Sequence, residues 1–370
     1  MPLSDLRVDG VAVVYRLYDI GDELRLDAVL DLLATSAPER IKLVRGEAQA
    51  LQIANPPVSV MLGTETIMIG GEARDVEIGA RIYEFGVAAL RLVVRPPADL
   101  PWPDYVRFGM AVQGERANVP VLDHHVQLLL ERIGPAIIRP QLARVTEEYT
   151  AFRVRQLRDA SGAPAALSRL GDAEVAPLLL GETRPLHEGA LKELLPRRFS
   201  YYADDLTVLA WDAALVIEDS PGESDVQLIV EFANAQLLEL RWFDSILDGE
   251  VKRMYDRMDT MRGGGRFTRR YYPLLRDLQR LVADATELVE RVDNSLKVTD
   301  DVYLARVYQA ALDVFRERAW RAGIERKLGI IRETYAMLNA EAQAARAEVL
   351  EWIFIALIAV ELMTALLLRK

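Results

Sequence analysis

The C-terminal half of the chain carries an apolar repeat that only long packed helices satisfy. From residue 226 to residue 261 apolar side chains recur at alternating spacings of three and four, the a/d pattern of a coiled coil. The repeat consists of Val226, Val230, Ala233, Leu237, Leu240, Asp244, Leu247, Val251, Met254, Met258 and Met261. Arg262-Gly263-Gly264-Gly265-Arg266 ends it. We therefore expect one long helix followed by a glycine turn.

Two further a/d repeats follow. One runs from Tyr271 to Val292, and the other from Ile324 to Val349, after the helix-capping residues Thr299-Asp300-Asp301. Because short loops between long helices favour antiparallel neighbours, residues 224–348 are predicted to form a three-helix coiled-coil stalk.

The first part of the chain has a different period. Short β-branched or aromatic runs alternate with Pro and Gly clusters, as in strands joined by turns. The runs are Val11–Leu17, Thr66–Ile69, Val76–Phe85, Val87–Arg95, Tyr149–Leu157 and Tyr202–Ile217, and predicted helices cover Leu24–Ala34, Val119–Ile138 and Gly189–Leu195. Few connections are long enough for a parallel crossover. We predict an α+β domain with a mostly antiparallel sheet over residues 1–219, bounded by Ser220-Pro221-Gly222-Glu223-Ser224.

The C-terminus is strongly apolar. Between Trp352 and Leu368 only Glu361 and Thr364 are polar. With Val349 and Leu350 the run approaches the roughly 20 residues that cross a bilayer, and Trp352 fits a membrane interface. We expect one transmembrane helix over 349–370, a tail anchor in the inner (cytoplasmic) membrane with the N-terminal body in the cytoplasm. The alternative is a buried helix of a globular core.

Composition excludes some chemistry. The 370 residues include no cysteine, which rules out disulfides and thiolate metal sites. A net charge of -11 argues against general attraction to nucleic acid or anionic lipid. The N-terminus resembles neither a secretory leader nor a transit peptide.

One basic cluster stands out in this acidic chain. Arg262, Arg266, Arg269 and Arg270 lie at the predicted glycine turn. They are either solvated and paired with acids of the stalk, or a contact for phosphate from lipid headgroups or structured RNA.

Two acidic side chains fall in apolar positions. Asp244 occupies an a position, where it either fixes helix register or lies exposed at a gap. Glu361, inside the apolar run, is expected to face another helix. Ala356 and Ala359 permit close helix approach, so we predict a homo-oligomer.

Residue patterns for catalysis are weak. The chain has no phosphate-binding glycine loop, nucleophile elbow or paired metal-ligand spacing. Asp123-His124-His125, His187, Asp204-Asp205 and Asp300-Asp301 are best explained as caps, turns and surface side chains. We predict no catalytic or metal residues, no cofactor and no small-molecule substrate.

Three stretches resemble a known family. Gln236–Met258 (QLLELRWFDSILDGEVKRMYDRM), Ser295–Tyr308 (SLKVTDDVYLARVY) and Leu350–Leu362 (LEWIFIALIAVEL) are similar to the family called required for meiotic nuclear division, a domain of unknown function. Tyr83–Leu92 (YEFGVAALRL) agrees less well, since Leu90 and Arg91 stand where the family has Phe-Trp. The resemblance implies a membrane-anchored, oligomeric protein whose mitochondrial relatives support translation by organellar ribosomes. No catalytic residues are established for that family, so none carries over.

The sequence therefore predicts an oligomeric membrane scaffold or tether that, by resemblance, supports translation or positions ribosomes at the membrane. The alternative is an oligomeric channel or metal-ion transporter with a pore from the C-terminal helix. Cobalt and magnesium transporters share this order of elements, but they need two membrane segments and a Gly-Met-Asn signature that this chain lacks. An enzyme in the N-terminal domain is the third hypothesis.

Overall fold

The computed structural model describes residues 3–41, 43, 51–114, 118–219, 223–261, 276–283, 286, 296–298 and 303–367. These residues belong to two compact units. The first comprises Met1–Trp242 and Arg291–Arg318, and the second Phe243–Glu290 and Ala319–Lys370.

The first unit is built on a ten-stranded sheet with the order β11-β12-β13-β10-β1-β7-β6-β5-β3, in which β8 also pairs with β1. All its pairings are antiparallel except that of β10 with β13. Two small sheets pair β2 with β9 and β4 with β14. The strands are β1 Arg7–Asp19, β2 Gly21–Leu24, β3 Glu39–Arg40, β4 Leu51–Ile53, β5 Val58–Ile69, β6 Glu72–Ile82, β7 Val87–Val94, β8 Leu100–Pro101, β9 Ile137–Pro140, β10 Thr146–Arg158, β11 Arg197–Phe199, β12 Leu206–Leu209, β13 Ala213–Ile217 and β14 Leu296–Val298.

Helices cover both faces of this sheet. Among the described residues, the helices with defined bounds are α1 Leu26–Leu32, α2 Trp102–Gly114, α3 Asn118–Ile133, α4 Asp172–Leu180, α5 Glu188–Leu194, α6 Asp225–Met261, α7 Tyr303–Val314 and α8 Glu317–Leu367. Alternate strand residues such as Ala12, Leu92 and Phe152 form one apolar cluster with α1 to α5. The opposite face packs against α7 and the first part of α6, where Tyr303 Oη lies 3.1 Å from Thr207 Oγ1. The sheet is thus the middle layer of three.

The predicted antiparallel sheet with helices is confirmed. The helices α2 and α4 were not predicted; each contains a proline, Pro103 or Pro177, a residue that disfavours a helix interior. Pro103 lies in the first turn of α2, where a missing N–H costs nothing.

The first part of α6 is more buried than a coiled-coil helix. Every residue from Leu228 to Leu240 is buried, including polar Glu231, Asn234 and Glu239. The predicted a/d residues are buried too, but so are the positions between them. This segment is therefore a core helix of the first unit, which extends to Trp242, beyond the predicted boundary at 220–224.

The second unit contains the remainder of α6, the helical residues 276–283 and most of α8. Ile324, Leu328, Ile331 and Leu338 of the predicted repeat are buried. A break at Phe315-Arg316 separates α7 from α8, and Arg316 has a positive φ of 55°. Residues 299–302, with the predicted cap, lie outside the described residues.

The predicted transmembrane helix over 349–370 is wrong. Among the described residues, no helix combines the length and the apolar character needed to cross a membrane. Glu351 and Glu361 bound the uncharged run 352–360, which rises only roughly 14 Å against a hydrocarbon core of about 30 Å. The predicted tail anchor and the single-pass location in the inner membrane are wrong for the same reason.

Candidate functional site

A buried ion network joins the sheet to α6. Arg81 of β6, with an exposed fraction of 1%, donates hydrogen bonds to Glu231 and Glu223. Tyr83 Oη donates to Glu231 Oε1 at 2.8 Å. Arg91 of β7 donates to Glu223 and, at 3.1 Å, to Ser59 Oγ. Two arginines on neighbouring strands are therefore held by two glutamates at the start of α6.

The charges in this network depend on one another. Burial alone would lower the pKa of Arg81, but Glu231 and Glu223 beside it raise that pKa well above its usual value. Burial opposes ionisation of Glu223, yet Arg81 and Arg91 hold its pKa below the usual range. Burial also raises the pKa of Tyr83, which stays a neutral hydrogen-bond donor. Arg81 and Glu231 are stable as charged groups in the interior only because each has the other as a partner, whereas Glu223 is partly exposed.

A cleft of about 660 Å³ opens beside this network, and Arg91 and Glu223 belong to both. We call it the arginine cleft. Val11, Val13 and Val93 contribute its apolar part from the adjacent strands β1 and β7, where Val13 pairs with Val93. Its arginines are Arg91, Arg95, Arg153, Arg155 and Arg158, and its acids are Asp9, Glu77, Asp99 and Glu223.

Strand register places the arginines around the valines. Arg153 of β10 pairs with Val11, and Glu77 of β6 pairs with Val93. Side chains two residues apart on a strand share a face, so Arg155 lies on the side of Arg153 and Arg95 on the side of Val93. With strands about 4.8 Å apart, arginines from β10 and β7 flank the apolar strand between them. The cleft can therefore offer guanidinium groups from two sides above an apolar surface.

The predicted basic cluster cannot be placed. Arg262, Arg266, Arg269 and Arg270 lie outside the described residues. Asp244 is neither exposed nor unpartnered: its Oδ1 lies 2.8 Å from Nζ of Lys327, which also lies 2.5 Å from Asp248 Oδ1. This contact joins α6 to α8 inside the second unit.

The predicted oligomer residues are exposed on α8. Trp352 has an exposed fraction of 64%, and Ala356, Ala359 and Glu361 are also exposed. Asp244 instead pairs with Lys327, which lies 25 residues before Trp352 on the same helix. At 1.5 Å per residue that is roughly 37 Å, so the structure does not bring the predicted positions together.

The acids and histidines interpreted as structural have structural contacts. Tyr18 donates to Asp123 at 2.7 Å, His125 Nε2 lies 3.3 Å from Glu65, and His187 accepts from Gly189 N at the start of α5. Asp205 accepts from Tyr201 N. The described residues include no cluster of potential metal ligands.

Sequence reasoning missed both the network and the cleft. One signal was present: an arginine, Arg81, interrupts the apolar run from Ile78 to Tyr83, and a buried strand tolerates that charge only with a partner. The acid partner, Glu231, is 150 residues away in the chain, and its spacing gives no hint of the pairing.

Comparison with known proteins adds a family. A family model described as "Uncharacterized protein MJ0711, N-terminal domain" matches residues 9–224. An "Uncharacterized protein MJ0711" from Methanocaldococcus jannaschii is 25% identical over 223 residues, which cover 60% of this chain and 66% of the relative. The chain thus spans a little under two thirds of that relative's length. No solved structure matches. The matched residues run from Asp9 in β1 to Ser224 and include nearly all of the sheet and of the arginine cleft, and the chain belongs to the family of the MJ0711 N-terminal domain.

Proposed function

We propose that this protein is a self-assembling scaffold, in which the exposed end of α8 joins copies of the chain and the sheet units are thereby held together. The observation that supports this proposal is the exposure of the apolar side chains between Val349 and Met363. Their exposed fractions run from 49% to 65%.

This exposure involves every side of the helix. Ile353, Phe354 and Ile355 are consecutive, so their side chains point about 100° apart, and each is at least 49% exposed. Contiguous exposed apolar surface of this kind marks an interaction site. A helix that is apolar all round needs cover on several sides, which a bundle of identical helices provides at once.

The sequence also favours a second copy as the occupant. The a/d spacing of the buried Ile331 and Leu338 continues into Trp352, Ala356 and Ala359. The small alanines at these positions allow backbones to approach closely. Contact with a ribosome, which the family resemblance implies, stays an expectation. An assembly of several copies would offer a ribosome several binding sites.

The channel hypothesis depended on the membrane span, and we do not propose it.

The test is the mass of the full-length protein in solution. Light scattering coupled to gel filtration should give a mass that is a multiple of 41.6 kDa. Replacing Ile355 and Leu362 with Glu places charges in the apolar surface, and this double variant should be monomeric. Met61→Glu, which adds one charge to a side chain 51% exposed in the sheet unit, is the matched control and should keep the wild-type mass.

A wild-type monomer over a hundredfold range of concentration would contradict the proposal, as would unchanged assembly in the double variant. A monomer that binds lipid vesicles without self-associating would assign the surface to a different occupant and reject the scaffold.

A further inference from the structure

The scaffold proposal gives no role to the arginine cleft, and none of the residues that line the cleft belongs to α8. Its volume of about 660 Å³ is far larger than an inorganic ion and lies in the usual range for small-molecule sites. All of its lining residues belong to the first unit.

The charge of the cleft opposes that of the chain. Five arginines and four acids line it, a positive balance in a protein of net charge -11. Arg81 and Arg91 both form ion pairs with Glu223, so the negative charge of this acid is already neutralised. The remaining arginines determine what the cleft attracts.

The ion pairs of the outer arginines are weak. Arg95 Nη2 lies 3.0 Å from Glu77 Oε1, and Arg155 Nε lies 3.4 Å from Asp219 Oδ1. Both arginine side chains are at least 60% exposed, and exposed pairs contribute little to stability. A guanidinium carries five donors, and each of these contacts engages one nitrogen. Arg95 and Arg155 therefore keep N–H donors that a ligand in the cleft could use.

Several guanidinium groups beside an apolar surface suit one ligand chemistry. A phosphate ester has two negative charges and three acceptor oxygens that can bind more than one arginine, often in bidentate geometry. Val11, Val13 and Val93 offer contact for the organic part of such a molecule. We propose that the arginine cleft binds a small organic phosphate, with Arg95 and Arg155 as ligands to the phosphate oxygens.

Titration calorimetry on the full-length protein tests this with four probes: AMP, glucose 6-phosphate, glycerol 3-phosphate and uncharged adenosine. At least one phosphate should bind, and its affinity should fall as salt rises. Arg95→Gln combined with Arg155→Gln should weaken that binding at least about tenfold, since a hydrogen bond to a charged group is worth about 1.5–3 kcal/mol. Arg107→Gln on α2, an arginine 77% exposed and paired with Asp104, is the matched control and should bind as the wild type does.

Thermal unfolding of each variant separates loss of binding from loss of fold, and both changes affect exposed side chains. The proposal is overturned if no phosphate binds at concentrations up to about 10 mM. It is equally overturned if adenosine binds as well as AMP, or if Arg107→Gln weakens binding as much as the cleft variant. Because monomers contain the complete cleft, the Ile355→Glu, Leu362→Glu variant should still bind, which separates this outcome from that of the scaffold.

Discussion

Arg81 shows what a single residue contributes to this fold. The residue is 1% exposed near the end of β6, between the buried apolar residues Ala80 and Ile82. An isolated charge there would be unfavourable by several kcal/mol, so Glu231 and Glu223 are required partners. The network thereby makes the position of α6 on the sheet depend on a few specific hydrogen bonds.

Replacing Arg81 with Met should destabilise the protein strongly, because Glu231 would be left buried without its countercharge. We expect a loss of about 3–5 kcal/mol in the free energy of unfolding, measured by urea denaturation. The double variant Arg81→Met, Glu231→Leu removes both charges and should recover a large part of that loss. A single variant within 1 kcal/mol of wild type, on the order of an exposed pair, would show that the network is not a stabilising contact.

Asp19 gives a pH dependence of defined sign. Burial and, to a smaller extent, nearby Asp22 raise the pKa of this carboxyl to about 7, although the hydrogen bonds that Gln141 and Gly21 N donate to it at 3.3 and 3.2 Å lower it. Because the folded pKa exceeds the unfolded one, the native state binds the proton more tightly between about pH 4 and 7. Stability should therefore fall as pH rises through that window.

Asp19→Asn mimics the neutral carboxyl and should remove this dependence. Relative to the variant, the wild type should lose up to about 4 kcal/mol between pH 4 and 7 in urea denaturation curves. Parallel curves for the two proteins would reject the raised pKa.

At the scale of elements, α6 serves both units. Its first part is buried all round against the sheet and α7, where Tyr308 Oη donates to Gln236 Oε1 at 2.5 Å. In its later part Leu247 and Met254 are buried, while Asp248, Lys252 and Arg253 between them are exposed, so the burial there is one-sided. The sequence changes in the same place as the burial. Residues 226–240 are mostly apolar, whereas residues 243–261 carry charged side chains between the apolar ones.

Lys327 is the polar contact between α6 and α8. Lys327→Met should leave Asp244 and Asp248 facing each other without a cation, and we expect a loss of about 1–3 kcal/mol. Lys192→Met, which breaks the exposed pair with Glu188 on α5, should change stability by less than about 1 kcal/mol. Urea denaturation followed by circular dichroism measures both, and equal effects would mean that the half-buried pair is no stronger than the exposed one.

For the whole molecule, self-assembly should couple stability to concentration. If copies associate through 349–363, the folded state gains free energy from its partners, and Tm should rise with protein concentration. The Ile355→Glu, Leu362→Glu variant should have a lower Tm that does not depend on concentration. Differential scanning calorimetry over a hundredfold concentration range checks this, and a wild-type Tm that stays constant would count against assembly.

Local pattern was enough to predict much of the fold. Short runs rich in β-branched and aromatic residues identify the strands β1, β7 and β10, because these side chains fit the surface of a pleated sheet. The three-four spacing identifies α6 and α8, because helix period follows from backbone geometry alone. Both patterns can be recognised from residues that are close together in the chain.

The sequence by itself therefore determined the kind and order of the elements: an antiparallel sheet first and long helices after it. Only the tertiary structure decided that α6 enters the core of the sheet unit, that Arg81 is paired with Glu231, and that arginines of β7 and β10 surround Val11. These contacts join residues up to 150 positions apart, and they depend on which strands become neighbours. Spacing along the chain indicates a helix or a strand, whereas a site made by four strands and a helix exists only once the chain has packed.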